Sequence, residues 1–361
     1  MSRSSAVRGP VAHPPERSSR EAGPALSLFT KFEQPILGPV AHSWWESRAV
    51  FNPGVTHRDG LFHLLYRAVS ADDRPPEYVS RLGYATSADG IEFTRQGAGP
   101  VFEPGPDVPY DRHGVEDPRI TVLDGTVYVT YVAIDVPALT RSKLSRTALA
   151  VTTDFTSFER LGLLTPLPDI DDRDWALFPQ RFDGRYVMLT RPQSVNDRLE
   201  YVKWRTTDEP AGIWLATSPS LTRWVMDPAG GNPEEVRGLA PQQPWEGVKT
   251  GIGPPPIETD DGWLAIYHGK DRDNAYYGGL ALLDRDEPSR VVARLPEPFL
   301  RPELPWERRG DLDDCVYPSG AVVKDGTLFV YYGATDDKCG VTTAPLDGVL
   351  KELRRHPARS G

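Results

Sequence analysis

Five Asp-Gly pairs divide this chain into repeats: Asp59-Gly60, Asp124-Gly125, Asp183-Gly184, Asp261-Gly262 and Asp325-Gly326, roughly 60 to 80 residues apart. Asp-Gly between alternating apolar runs marks a two-residue hairpin, because both central residues of a type I′ turn take positive φ. A strand that begins near a proline leads into each turn, at Asn52-Pro53, Asp117-Pro118, Phe178-Pro179, Pro255-Pro256 and Tyr317-Pro318. An alternating apolar strand leaves it, at 61–67, 127–131, 186–191, 263–268 and 328–332, and a third follows at 83–87, 149–153, 214–218, 280–284 and 341–344. Long helical periodicity is nearly absent, and 36 prolines and 32 glycines supply the turns. Small antiparallel sheets cannot bury both faces alone, so five copies predict an all-β, five-bladed β-propeller. The repeat crosses any midpoint, so residues 26–361 are expected to form one domain. Residues 1–25, rich in Ser, Arg, Pro and Gly, cannot bury enough apolar surface to offset ordering entropy and are expected to be a disordered tail.

Composition removes several functions. The formal charge is −10, with 51 acids against 41 bases, and nucleic-acid affinity rests on clustered Lys and Arg, so a phosphate-backbone partner is not expected. Cys315 and Cys339 are too few for a disulfide framework and read as buried free thiols. No apolar run approaches the length of a membrane span, and no apolar segment precedes a small-residue cleavage site, so a cytoplasmic location is expected. The histidines lack ligand spacing, so no metal site is expected. Nucleophile-elbow, dinucleotide and Walker motifs are also missing.

The repeat brings distant polar residues together, because equivalent positions of successive blades meet at one rim. Asn52, Asp117 and the segment around Phe178 occupy the strand starts. Asp117 lies in Gly114-Val115-Glu116-Asp117-Pro118-Arg119-Ile120, which delivers a carboxylate to the mouth of a strand. Six or seven residues past each turn glycine stand Arg67, Tyr131, Arg191, His268 and Tyr332. Two arginines and a histidine facing one acid predict a cationic pocket beside a general acid. A one-residue slip of register would turn any of them outward. The plainer alternatives are salt-bridged strand ends for Arg67 and Arg191, a satisfied core histidine for His268, and a structural ion pair for Arg119. Trp44, Trp45, Trp175 and Trp245 stand beside polar loop residues and are candidate platforms for the apolar faces of sugars.

The segment at 114–120 resembles the signature of glycoside hydrolase family 130, the β-mannoside phosphorylases and β-mannosidases. Phe51-Asn52-Pro53-Gly54 with Tyr66-Arg67-Ala68, Ala176-Leu177-Phe178-Pro179, Arg191-Pro192, the run 251–269 and Tyr331-Tyr332-Gly333-Ala334-Thr335-Asp336 are similar in the same order. The resemblance covers about residues 33–346 and implies a five-bladed propeller. It also implies a phosphorylase that cleaves a β-mannoside with inorganic phosphate and inversion, giving α-mannose 1-phosphate without a cofactor. By the same resemblance, Asp117 is the catalytic acid, acting through a sugar hydroxyl. Asn52 and Asp336 hold the mannose, with Glu116 and Arg191 as further substrate-binding candidates, and Arg67 and His268 hold phosphate. Arg181 stands where many members carry lysine and is a third phosphate candidate, with altered donor geometry. The partners expected are a small β-mannoside and phosphate, with homo-oligomers common in the family.

Two other readings stay open at this point. A β-mannosidase using water would need a base, for which Glu246 is the acid to watch, and a non-catalytic carbohydrate-binding propeller would need neither. Linkage and acceptor choice are expected to depend on rim loops at 135–146 and 194–212.

Overall fold

The computed structural model describes residues 26–72, 78–135, 145–164, 170–194, 211–224 and 237–358. The expected tail, residues 1–25, and most of the two rim loops lie outside the described residues. The fold is all-β, and its strands form five antiparallel groups. The first group holds Ala49–Arg58, Leu61–Val69, Ser80–Ser87 and Thr94–Arg95, and the second holds Gly114–Leu123, Thr126–Ile134, Ser145–Thr152 and Phe158–Leu163. One parallel pairing, Ser80 with Gly114, joins these two into a single hydrogen-bonded sheet. The third is Ile170–Phe182, Arg185–Ser194, Ile213–Ser218 and Arg237–Leu239. In the fourth, the first strand is split into Lys249–Ile252 and Ile257–Thr259, ahead of Gly262–Lys270, Tyr276–Leu283 and Val291–Arg294. Pro254, Pro255 and Pro256 make that split, since three successive residues without an N–H cannot continue a ladder. The fifth is Val316–Lys324, Thr327–Ala334 and Lys338–Pro345, and its outer strand, Thr30–Lys31, comes from the other end of the described chain.

Four of the five Asp-Gly turns have both residues at positive φ, as at Asp59 (51°) and Gly60 (80°), which is the I′ geometry the sequence predicts. At Asp261-Gly262 only the glycine does, with φ 123°. There the Thr259 hydroxyl donates to the Gly262 carbonyl at 2.6 Å and draws the loop into another shape.

Each group packs on the next through an apolar cluster. Leu65, Ile120 and Val127 fill the space between groups one and two, and Leu123, Trp175 and Met188 that between two and three. Phe178, Leu189 and Trp263 join three to four, Leu264, Leu280 and Val330 join four to five, and Leu64, Val50 and Tyr331 join five to one. First strands also touch in sequence from group one to group four, the second and third strands of the fourth reach the first strand of the fifth, and the fifth returns to the first. Two glycines allow the close approach: a Cβ at Gly54 would lie 2.4 Å from the Pro118 carbonyl oxygen, and one at Gly320 would lie 2.7 Å from that of Pro53. Truncating one fully buried leucine here, such as Leu64, costs about 2–5 kcal/mol, because each cluster serves two groups at once.

Candidate active site

The site is built on a bulge that holds a left-handed Asn or Asp, a feature that recurs in three first strands. Pairing slips by one residue between Phe51 and Gly54, between Glu116 and Arg119, and between Arg173 and Ala176. Within those bulges Asn52, Asp117 and Asp174 take φ of 48°, 50° and 61°. Asn and Asp tolerate this left-handed region better than other side chains, and such strain costs about 1–3 kcal/mol unless the surroundings hold it. The bulges aim all three side chains inward, where they are buried.

Around Asp117 lies an acid half. Asn52 Nδ2 donates to Asp117 Oδ1 at 2.9 Å, and Arg67 Nη1 donates to the same oxygen at 3.2 Å. Among the described residues no hydrogen bond falls on Asp117 Oδ2. Arg67 Nη2 meets Glu116 Oε1 at 2.8 Å, Arg67 Nε meets Ser80 Oγ at 2.9 Å, and the guanidinium lies over Phe51. The Asn52 side-chain amide oxygen is buried with no hydrogen-bond partner among the described residues. Asp336 faces this half from the end of the fifth group. Burial pushes its pKa up to about 6; Arg67 opposes that rise, while Asp117 and Glu116 add to it.

Around Asp174 lies a cationic half. Arg191 Nε donates to Asp174 Oδ2 at 2.7 Å, while Arg119 Nη2 and the Tyr317 hydroxyl donate to Oδ1 at 2.9 and 2.6 Å. Burial alone would raise the Asp174 pKa, but Arg191 and Arg119 overcome it and hold the carboxyl well below the usual range. His268 is fully buried, and that burial keeps its imidazole neutral against the pull of Asp174, 3.8 Å away. Neither ring nitrogen has a hydrogen-bond partner among the described residues. Lys249 and Lys270 sit directly opposite each other in register, with ammonium groups 5.3 and 5.2 Å from the Tyr276 ring. Burial first, and Arg191 next, push Lys249 down to about 7. Arg119 ties the halves together: it also donates to the carbonyls of Gly253 (2.6 Å), Ile252 (3.1 Å) and Asp117 (3.3 Å).

The sequence reading is corrected at several positions. The third strand-start residue is Asp174; Phe178 is core, packed on Trp263 at 5.2 Å. A proline follows Asn52 and Asp117, whereas Trp175 follows Asp174, so the proline cue points four residues too far along. Arg67, expected beside His268, is bound in the acid half, and Arg191, expected on the sugar, stands on the His268 side. Both occupy the same place in the repeat, but each is drawn to the nearest bulge acid. Arg181 is not in the site. It pairs in register with Tyr186 next to the Asp-Gly turn, stacks on that ring at 4.5 Å and reaches exposed Asp124 at 3.3 Å. The bulges of this strand leave that residue at its far end. Lys249, Lys270 and Tyr276 went unread, although Lys249 stands two residues before the matched run at 251.

Glu246 and three of the four tryptophans belong to the scaffold. In four groups a tyrosine of the second strand donates to a buried acid that a cation also holds: Tyr66–Glu46–Arg95, Tyr131–Asp111–Arg160, Tyr267–Glu246–Arg294 and Tyr332–Glu307–Lys31. Trp45, Trp245 and Trp306 stack on those tyrosines, with ring centroids 6.0, 5.8 and 6.1 Å apart. Glu246, whose Oε1 accepts from Tyr267 and Arg294 and whose Oε2 accepts from the backbone N–H groups of Gln242 and Gln243, is no free base, and Trp175 is core against Trp224. Trp44 alone of the four is exposed. Cys315 and Cys339 are buried free thiols, as expected.

Comparison with known proteins gives a consistent picture. A family model described as beta-1,4-mannooligosaccharide phosphorylase matches residues 30–355. A 1,2-beta-oligomannan phosphorylase of Thermoanaerobacter is 38% identical over 318 residues, which is 88% of this chain and 96% of that protein. The structure of beta-1,2-mannobiose phosphorylase from Listeria innocua, in complex with beta-1,2-mannobiose, aligns with a TM-score of 0.74 at 26% identity, covering 91% of this chain and 99% of that one. Another structure aligns with a TM-score of 0.73 at 27% identity, covering 87% of this chain and 93% of that chain. It is described as showing that the GH130 family of mannoside phosphorylases contains glycoside hydrolases that target beta-1,2 mannosidic linkages in Candida mannan.

Proposed function

The chain belongs to glycoside hydrolase family 130, and from that premise we propose that it is an inverting phosphorylase that cleaves β-mannosides with inorganic phosphate. The carrying observation is the division of one buried cluster into an acid half beside a cationic half. In the proposed reaction Asp117 Oδ2 gives its proton to the glycosidic oxygen, directly or through a sugar hydroxyl, as the bond from that oxygen to the anomeric carbon breaks. A phosphate oxygen forms the new bond from the opposite face, so the products are the shortened sugar and α-mannose 1-phosphate. Asn52, Arg67, Glu116 and Asp336 hold the mannose. Arg191, Lys249 and neutral His268 hold phosphate, with Arg173 and Lys270 beside them. Phosphate is itself the nucleophile, so the chemistry needs no metal and no cofactor. A sugar phosphate is costly to move through a bilayer, and we place the reaction in the cytoplasm. We read the five groups as blades of a five-bladed propeller spanning residues 26–361, a reading the closed order of contacts supports.

Hydrolysis on this scaffold needs a second carboxylate free to activate water, about 6.5–9.5 Å from the acid. Glu246 is bound by Arg294 and Tyr267, and Asp174 by Arg119, Arg191 and Tyr317, which argues for phosphorolysis. The test is incubation with β-1,2- and β-1,4-mannobiose, with and without phosphate, assaying mannose 1-phosphate. The sugar phosphate is expected only when phosphate is present. Cleavage that ignores phosphate selects the hydrolase, and no turnover of any mannoside leaves a binding protein.

Lys249 gives a pH signature. Its folded pKa of about 7 lies below the ordinary 10.5, so between those values the unfolded chain binds more protons and stability from this group rises with pH. Below about 7 that gain is lost. Bound phosphate favours the charged lysine and should flatten this rise. Melting temperature is therefore expected to climb less steeply from pH 7 to 10 in saturating phosphate than without it, and Lys249→Met should remove the difference. An identical phosphate response in Lys249→Met takes Lys249 out of the anion site.

A further inference from the structure

Trp44 stands apart from the repeat. In three groups a Trp-Glu pair closes the loop before the first strand, and the residue ahead of it is Trp44, Pro244 or Pro305. The prolines open the short helices Pro244–Glu246 and Pro305–Arg308, a position where a missing N–H costs nothing. Trp44 has no such task, because Trp45 and Glu46 already make the scaffold contacts of that loop. Its side chain is 57% exposed, the most exposed large apolar side chain among the described residues. Yet it is not loose. The Arg81 guanidinium lies 5.5 Å from its ring centroid. Arg81 pairs in register with Ala68, on the opposite face of the sheet from Arg67 and Ser80 and on the side that packs against the fifth group, the group from whose end Asp336 faces the acid half. The loop that carries Trp44 leads into Ala49–Arg58, whose start holds Asn52, so Trp44 stands at the rim on the acid-half end of the first group.

We propose that Trp44 is the stacking platform for the sugar on the leaving-group side of the scissile bond, an inference that rests on the phosphorylase reading. In an in-line displacement, nucleophile and leaving group stand on opposite sides of the anomeric carbon. The cationic half ends on fully buried His268, so the leaving sugar extends past Asp117 toward the open rim. An indole face held there by Arg81 matches the apolar C–H face of a pyranose, while the sugar edge stays hydrated.

The test uses the full chain with β-1,2-mannobiose and phosphate. Trp44→Ala is expected to raise KM for mannobiose about tenfold, equivalent to ~1.4 kcal/mol, with KM for phosphate moving less than about twofold. Trp44→Phe, which keeps an aromatic face, should recover most of the loss. An unchanged KM for mannobiose, or an equal rise in both constants, overturns the platform. If wild type turns over no β-mannoside, the phosphorylase reading is what fails. Tryptophan fluorescence then decides the platform separately: a change on adding mannobiose that Trp44→Phe abolishes supports it. A change that persists in that variant, or none in either protein, overturns it.

Discussion

Asp117→Asn should slow phosphorolysis of an unactivated β-mannoside by about a thousandfold, inside the ~10²–10⁴ range for a positioned acid, and leave the fold intact. Asparagine keeps the oxygen that accepts from Asn52 and Arg67, and Arg67 retains Glu116 at 2.8 Å and Ser80 at 2.9 Å. Its φ of 50° is one that asparagine also tolerates. What disappears is the proton that leaves with the aglycone. A nitrophenyl β-mannoside, whose leaving group needs little protonation, should therefore lose far less rate in this variant than mannobiose does. The melting curve should overlay that of wild type, with any change below about 1 kcal/mol. Equal losses on both substrates would point to a binding defect, and undiminished mannobiose turnover would remove Asp117 from the acid role.

Arg119→Met carries the largest expected effect on stability, about 3–5 kcal/mol, because it removes one of the two cations that hold buried Asp174 and at once strips buried carbonyls of their donor. Arg119 is among the largest fully enclosed side chains and serves four first-strand neighbourhoods at once. Its loss deprives Asp174 of one of its two arginines and leaves the carbonyls of Gly253 and Ile252 short of a donor. A fall in melting temperature of roughly 5 °C is expected for a chain of this size. The double variant Arg119→Met with Asp174→Asn should fall by less than the sum of the singles, since each single already removes the same Arg119–Asp174 pair. A single variant within about 1 kcal/mol of wild type would show that the hub is dispensable.

The scaffold was more legible than the site. Asp-Gly spacing and period-two alternation are local signals, and four of the five turns take the backbone geometry they demand. Asn52 and Asp117 were found because a proline follows each. Asp174 was not, since Trp175 follows it and the bulge that aims it leaves no mark in composition. Glu246 and Trp245 looked chemical one repeat at a time. Set beside Trp45-Glu46 and Trp306-Glu307, they show themselves as scaffold, a comparison the sequence permitted. Arg67 and Arg191 hold the same place in the repeat, and no count of residues could say which acid each would meet.

The amino-acid sequence alone determined the all-β class, the fivefold hairpin period and the family, and it singled out Asp117 as the candidate acid, because turn chemistry and strand alternation are read within a few residues. Tertiary structure decided the rest. It decided that Arg67 serves the acid half and Arg191 the cationic one, that Arg181 faces solvent, and that Lys249 and Asp336 titrate near neutrality. Side-chain partners across groups, and the burial that shifts a proton, depend on which strands meet in space. That is a property of the closed packing, and no single stretch of chain carries it.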